Sequence, residues 1–325
     1  DITANNFAGK NYIINGQGLI IQRGAQVGLV NNRYFADRWN WALGGAMVVN
    51  GNTVGGYVEL DVTTVDTSLA AADYAMLQYK IEGYNVVDFG MGAAGASTVT
   101  LSFKHKHTKT GINCVAFRNS ANNRSYIVEY TQSVSNTEET ATMTVALDTA
   151  GTWLTTSGIG LNMQFATAMG TNYHNTAGSW HAGNYISTSN QVNNMDSVSN
   201  YFRITDVKLE IGSAATEFMA DDYEVLLAKC KRYFYRLGAA TNALFEKGYN
   251  SAGAYSGPTI THHPEMRVAP TITKTGTFTV SNCGQPGWGS VTPTSGYIQT
   301  LISGTAAYSW YSSGADQYVS FDAEL

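Results

Sequence analysis

Residues Tyr201–Arg236 read YFRITDVKLEIGSAATEFMADDYEVLLAKCKRYFYR. Phe202 and Ile204 point to one side of a strand, whereas Val207, Leu209 and Ile211 continue from the opposite parity. Strand side chains alternate with a period of two, so this switch requires a one-residue slip near Thr205–Asp206, as a β-bulge supplies. Gly212 breaks the strand, and a helix signature follows. Asp221 is placed as an N-cap with Glu224 three residues on. Tyr223, Leu226, Leu227, Cys230 and Phe234 form an apolar stripe. Lys229, Lys231, Arg232 and Arg236 suit the negative end of the dipole, and Gly238 suits a C′ stop. The spacing predicts a linking amphipathic helix over 220–237. It separates a β-rich body, 1–219, from a smaller C-terminal β-domain, 238–325. All five prolines fall after residue 257, which supports a boundary there.

Working outward, the first domain is a series of alternating runs. Val58, Leu60 and Val62 alternate with Glu59 and Asp61; Val99, Leu101 and Phe103 with Thr100 and Ser102; Tyr126, Val128 and Tyr130 with Ile127 and Glu129. Ala141, Met143, Val145 and Leu147 alternate with Thr142, Thr144 and Ala146, and Ile159, Leu161, Met163 and Phe165 with Gly160, Asn162 and Gln164. Such runs are half-buried antiparallel strands with one face on a core. No βαβ rhythm interrupts them. The fold class expected is therefore mainly β: an antiparallel jelly-roll β-sandwich, the linking helix, and a second smaller β-domain with strands at Thr277–Val280, Gly296–Ile302, Ala306–Tyr311 and Gln317–Phe321.

Charged residues make up only 13% of the 325 residues, against about 25% for a typical globular chain, and Gly, Asn, Ser and Thr take their place. A net charge of -5 argues against a nucleic-acid groove. No apolar run reaches the ~18 residues of a membrane-spanning helix, so no membrane insertion is expected. DITANNFAGKNY offers neither the basic nor the apolar region of a signal peptide. Cys114, Cys230 and Cys283 are odd in number and far apart, which suits reduced, buried thiols made in a cytoplasm.

Three stretches, in a shared order, resemble phage tail-fibre and tail-spike proteins. They are INGQGLIIQRG with YFADRWNW (Ile14–Gly24, Tyr34–Trp41), LQYKIEGYNVVDFG with STVTLSFKHKHTKTG (Leu77–Gly90, Ser97–Gly111), and DVKLEIGSAATEF with EVLLAKCKRYFYR (Asp206–Phe218, Glu224–Arg236). PEMRVAPTIT at Pro264–Thr273 and the closing DAEL at Asp322–Leu325 extend it. Where the family has CQRYY, this chain has Cys230-Lys231-Arg232-Tyr233-Phe234. The resemblance spans nearly the whole chain, and its motifs are structural rather than catalytic. It implies a virion protein, made in the host cytoplasm, with a carbohydrate-binding-module-like jelly roll. It further implies a homotrimer that contacts other virion proteins and host surface polysaccharide.

Candidate chemistry is sparse. Trp39 and Trp41 share parity, with Asp37 and Arg38 beside them, and read as core near a structural ion pair. Lys104-His105-Lys106-His107 puts two histidines on one strand face, a metal half-site in principle; without a third ligand, a strand end reaching solvent is the expectation. His262-His263 is weaker still as a ligand pair. Asp206 beside the bulge is left open as a ligand of a structural calcium or of the backbone; no D-x-D-x-D-G run occurs, and no other cofactor is expected. Glycosidases need two positioned carboxylates, and no G-x-S-x-G, HExxH or P-loop is present; the chain is expected not to be an enzyme. The long connection Tyr173–Tyr185, YHNTAGSWHAGNY, mixes rings with amides as sugar recognition requires. Tyr173, His174, Trp180, His181 and Tyr185 are the candidate glycan-binding residues, set against the alternative that Trp180 and Tyr185 plug the end of the sandwich. The expected function is that of a non-enzymatic adhesin of a phage fibre or spike. The alternatives are a purely structural virion protein (head fibre, capsid decoration or tail-assembly adaptor) and, third, a polysaccharide depolymerase.

Overall fold

A computed structural model describes residues 9–238, 240–241, 243–314 and 316–325. The chain divides into two compact units, the first ending at Asp222 and the second beginning at Tyr223.

The first unit contains thirteen strands: β1 (Gln26–Leu29), β2 (Arg33–Tyr34), β3 (Trp39–Gly44), β4 (Val48–Val54), β5 (Tyr57–Thr64), β6 (Tyr74–Glu82), β7 (Thr98–His105), β8 (Gly111–Arg118), β9 (Arg124–Gln132), β10 (Glu139–Ala146), β11 (Ile159–Met169), β12 (Trp180–Ala182) and β13 (Tyr201–Ile211). They form a six-stranded sheet, β1-β4-β5-β13-β7-β10, and a seven-stranded sheet, β12-β9-β8-β11-β6-β3-β2. The chain passes repeatedly from one sheet to the other, as at β3 to β4, β5 to β6, β6 to β7 and β12 to β13, and the ladders are antiparallel. This is the expected jelly-roll β-sandwich.

Alternation explains its core. Ala75, Leu77, Tyr79 and Ile81 of β6, Leu161, Met163 and Phe165 of β11 and Val115 and Phe117 of β8 point inward, to meet Val58, Leu60, Val99, Leu101 and Phe103 from the other sheet. Trp39 and Trp41 are fully buried among them. The slip in β13 is present: Asp206 has φ 51° and the register against β7 shifts between Thr205 and Lys208. Phe202 and Ile204 before it, and Val207 and Leu209 after it, thereby all reach the core. The Asp206 carboxylate accepts from Gln17 Nε2 (2.7 Å) and pairs with Lys104 (3.1 Å). Among the described residues, no cluster of three or more His, Cys, Asp or Glu is arranged to hold a metal ion.

His105 and His107 depart from expectation. Both are buried rather than carried out to solvent. His105 Nδ1 lies 2.8 Å from Gln132 Oε1, His107 Nε2 lies 2.9 Å from the Tyr130 hydroxyl, and the His107 ring stacks on Phe202. Their shared parity is that of the core face, and burial holds the ring pKa of each below the usual histidine range, His107 far below.

The predicted helix over 220–237 is shorter than expected. In the second unit α1 covers Tyr223–Lys231, and only Leu226 and Cys230 are buried on it, while Tyr223 is exposed. Tyr233 N–H bonds back to the Cys230 carbonyl, closing the last turn. The aromatic run after it then extends as β14 (Phe234–Gly238). Phe234 is thus a strand residue and Gly238 ends a strand, not a helix. Pairing wins because Phe234–Gly238 finds a full antiparallel partner in Tyr318–Asp322, and rings suit a pleated surface. The remaining strands are β15 (Phe245–Asn250), β16 (Tyr255–Ser256), β17 (Thr259–Thr261), β18 (Thr271–Thr275), β19 (Thr279–Ser281), β20 (Gly287–Val291), β21 (Ser295–Leu301), β22 (Ala306–Tyr311) and β23 (Tyr318–Asp322). They make small sheets β14-β23-β18, β15-β22-β19 and β16-β21-β17, with β20 on β21, around a core that includes Phe278, Ile298, Trp310 and Phe321.

The outer faces of the sandwich differ. On the six-stranded sheet, residues after Gly212 fold back over β13: Glu210 accepts from Thr216 N–H (2.8 Å), and buried Lys208 pairs with Glu210 (3.3 Å) and bonds the Glu217 carbonyl (2.9 Å). The seven-stranded sheet carries a polar groove instead.

Candidate functional site

The groove follows from strand register. Residues whose parity opposes the core on β6, β11 and β8 line up across the seven-stranded sheet. One rank is Asn40 (β3), Gln78 (β6) and Gln164 (β11); the next is Lys80 (β6), Asn162 (β11) and Arg118 (β8). On the other side of the first rank lie Ala42, Met76 and Ala166. This apolar rank joins Cys114, Ala116, Ile127, Met169 and Ile186 in a second, smaller cluster against which Tyr74, Tyr173 and Tyr185 pack. The connection after β11 therefore lies on the sheet's outer face and raises a wall, and the polar ranks form the floor beside it. The groove has a volume of about 440 Å³, within the range of ligand sites. Gln78, Arg118, Asn162 and Gln164 line it together with Tyr74 and Tyr173, whose rings meet edge to face at 5.4 Å.

The floor is buried and under-bonded. Arg118 donates from Nη1 to Gln164 Oε1 (2.6 Å), while its Nε has no partner. Asn162 Oδ1 has none among the described residues. A buried polar atom left unpaired costs about 1–3 kcal/mol, which a ligand hydroxyl or carboxylate oxygen can recover. Burial pushes the Arg118 guanidinium down to about 10, so it is charged at neutral pH. Burial likewise raises the Tyr173 hydroxyl above its usual range, and Tyr173 stays a neutral donor and acceptor.

The five residues expected to bind glycan are dispersed. Tyr173 lines the groove. His174 donates from Nε2 to the Met169 carbonyl (3.0 Å). Trp180, in edge strand β12, donates from Nε1 to the Ala146 carbonyl (2.8 Å) and packs its ring on Tyr126 and Trp153 (5.3 and 5.5 Å), against the sandwich core. His181 is turned back on its own loop, donating to the Thr176 carbonyl (2.9 Å), and Tyr185 lies 6.0 Å from the His181 ring. Trp180 is thus occupied by packing. Trp180→Ala should destabilise the unit by about 2 kcal/mol and leave glycan affinity unchanged, as thermal melts and binding isotherms on the same sample would establish. Asn40, Gln78 and Arg118 were not among the expected residues. Asn162 and Gln164 stood out only as the polar half of an alternation, which solvent-facing residues share.

No family model matches the chain, and no curated protein does. Among solved structures, it is similar to the family 11 carbohydrate-binding module of a cellulosomal cellulase of Clostridium thermocellum (13% identity, TM-score 0.30, covering 60% of this chain and 98% of that one). It is also similar to a putative sugar binding protein from Bacteroides thetaiotaomicron (11%, TM-score 0.34, 62% and 100%). A third is the enzymatically active domain of bacteriophage CBA120 tailspike protein 4 (14%, TM-score 0.34, 62% of this chain and 21% of that one).

Proposed function

We propose that the first unit binds a glycan chain in the groove on the outer face of its seven-stranded sheet. The observation that carries this reading is the floor itself: Asn162 and Arg118 hold buried polar atoms that have no partner among the described residues. Amides and a guanidinium read hydroxyl and carboxylate oxygens, and Tyr74 with Tyr173 offers ring faces and edges to a pyranose. The double variant Gln78→Ala/Tyr173→Ala should weaken binding of an array-selected oligosaccharide about 10- to 50-fold, with a melting temperature close to that of the parent. Unchanged affinity would refute the groove as the site.

The groove lining contains no Asp or Glu, so the carboxylate pair of a glycosidase is not supplied there. This supports a non-enzymatic binder over a depolymerase. The finer reading is a phage fibre or spike adhesin acting as a homotrimer on host surface polysaccharide; it rests on the ordered motifs from Ile14 to Leu325. A structural virion role is favoured by a different observation, the exposed apolar side chains of Phe245, Tyr249 and Tyr255 in the second unit. Sedimentation of the full chain distinguishes a trimer from a monomer.

A further inference from the structure

The geometry points to an acidic glycan, one whose sugars carry carboxylates, as the occupant of the groove, with Arg118 as the residue that selects it. This inference rests on the glycan-binding reading and narrows its substrate class.

The chain as a whole is acidic, with a net charge of -5, yet the groove lining carries two cations, Lys80 and Arg118, and no Asp or Glu; Lys80 Nζ already donates to the Leu325 carbonyl (2.8 Å), which leaves Arg118 as the cation that decides. Arg118 is 2% exposed. A buried guanidinium is ordinarily paired with an acid, because an uncompensated buried charge is costly. Here no carboxylate pairs with it among the described residues, and its single side-chain bond goes to the neutral amide of Gln164. The acids nearby are engaged or stand outside the lining. Glu129, outward on β9, accepts from the Thr188 hydroxyl and from Asn190 Nδ2 (3.0 Å). Asp73 accepts from Ala70 N–H (2.7 Å). Glu82 lies two residues beyond Lys80 on β6 and does not line the groove.

The four remaining N–H donors of Arg118, in a planar fork, match a carboxylate better than a lone hydroxyl. Asn162 is its direct neighbour across the β8–β11 ladder, and its Oδ1 has no partner. That oxygen can accept a sugar hydroxyl while the guanidinium takes the acid. Two functions, charge and hydroxyl readout, thus sit side by side on one rank of the sheet.

The test compares polygalacturonate with the same polymer after its carboxyls are reduced to neutral hydroxymethyl groups, by affinity electrophoresis and calorimetry on the full chain. Hyaluronate serves as a second acidic backbone and dextran sulfate as a sulfate control. The expected result is binding of at least one carboxylated polymer about 10- to 100-fold tighter than its reduced form, weakened by salt. In Arg118→Gln the difference between the two forms should disappear while weak binding of the reduced form persists. Should that variant fold poorly in a thermal melt, Arg118→Lys and the salt dependence of the parent protein carry the same decision. Equal binding of acidic and reduced forms overturns the acidic preference and leaves the glycan reading intact. Binding of dextran sulfate alone overturns the carboxylate assignment. Binding of none of these polymers, together with a blank array of neutral and acidic glycans, overturns both.

Discussion

Trp39→Ala should destabilise the first unit by about 3–5 kcal/mol, the largest effect expected from any single substitution in the sandwich. Trp39 is fully buried. Its ring meets Tyr79 edge-on at 4.9 Å and Phe165 at 6.0 Å, so its removal empties space shared by β3, β6 and β11. Its Nε1 also donates to the Asn15 carbonyl (2.9 Å), which ties the segment before β1 to the core. Alanine loses the packing and one of the two hydrogen bonds to that carbonyl, which keeps the Gly18 N–H (2.9 Å). Denaturant unfolding followed by near-ultraviolet dichroism would measure the loss. A cost below about 1 kcal/mol would mean that the two sheets do not pack around this ring.

The second expectation concerns acid. His105 and His107 are neutral in the folded sandwich because burial disfavours their charged forms. The unfolded chain takes up a proton on each near pH 6.5, whereas the folded chain does so only at lower pH. Between those values the unfolded state binds more protons, so stability falls as pH falls and is fully present above about 6.5. Each histidine contributes a slope of up to about 1.4 kcal/mol per pH unit. Stability against pH should therefore decline below 6.5 more steeply in the parent protein than in His107→Gln. Equal slopes would show that His107 is protonated in the fold.

Most of the sandwich could be read from period-two alternation because its strands are amphipathic. Val99, Leu101 and Phe103, or Ala141, Met143 and Val145, announce a core face without help from other segments. β8 was harder. Cys114 and Ala116 on its outer side are covered by the connection that carries Ile186, so the strand is apolar on both faces and has no period to detect. In β6, Tyr74 and Met76 mask the alternation in the same way. The helix, Tyr223–Lys231, lies inside the expected span of 220–237 and stops short of its far end, because an apolar stripe does not distinguish a further helical turn from aromatic residues about to join a sheet. His105 and His107 share the core parity of Val99, Leu101 and Phe103; what covers them, Gln132, Tyr130 and Phe202, comes from other strands and is not visible in the run itself.

The groove was less legible. Its residues come from Gln78, Arg118, Asn162 and Tyr173, which only register brings together. They lie on four separate segments, β6, β8, β11 and the connection after β11. Asn162 and Gln164 look like any outward amide until Arg118 and Gln78 are placed on either side of them. The connection rich in rings drew attention for good physical reasons, but Trp180 turns inward to Tyr126 and Trp153. What that segment supplies is a wall, with Tyr173 at its edge.

The alternation along β6 has a consequence for how such a protein changes over generations. Ala75, Leu77, Tyr79 and Ile81 maintain the fold, and Tyr74, Met76, Gln78 and Lys80 meet the groove, one residue out of phase on the same strand. Within the second set Tyr74 and Met76 also pack in the smaller apolar cluster and Lys80 bonds the Leu325 carbonyl, so Gln78 is the position where a point substitution alters the groove at least cost to folding. Insertion or deletion of a single residue exchanges the two sets and destroys both at once. The architecture therefore leaves its lineage free to drift in the chemistry of the groove while holding the length of its strands fixed.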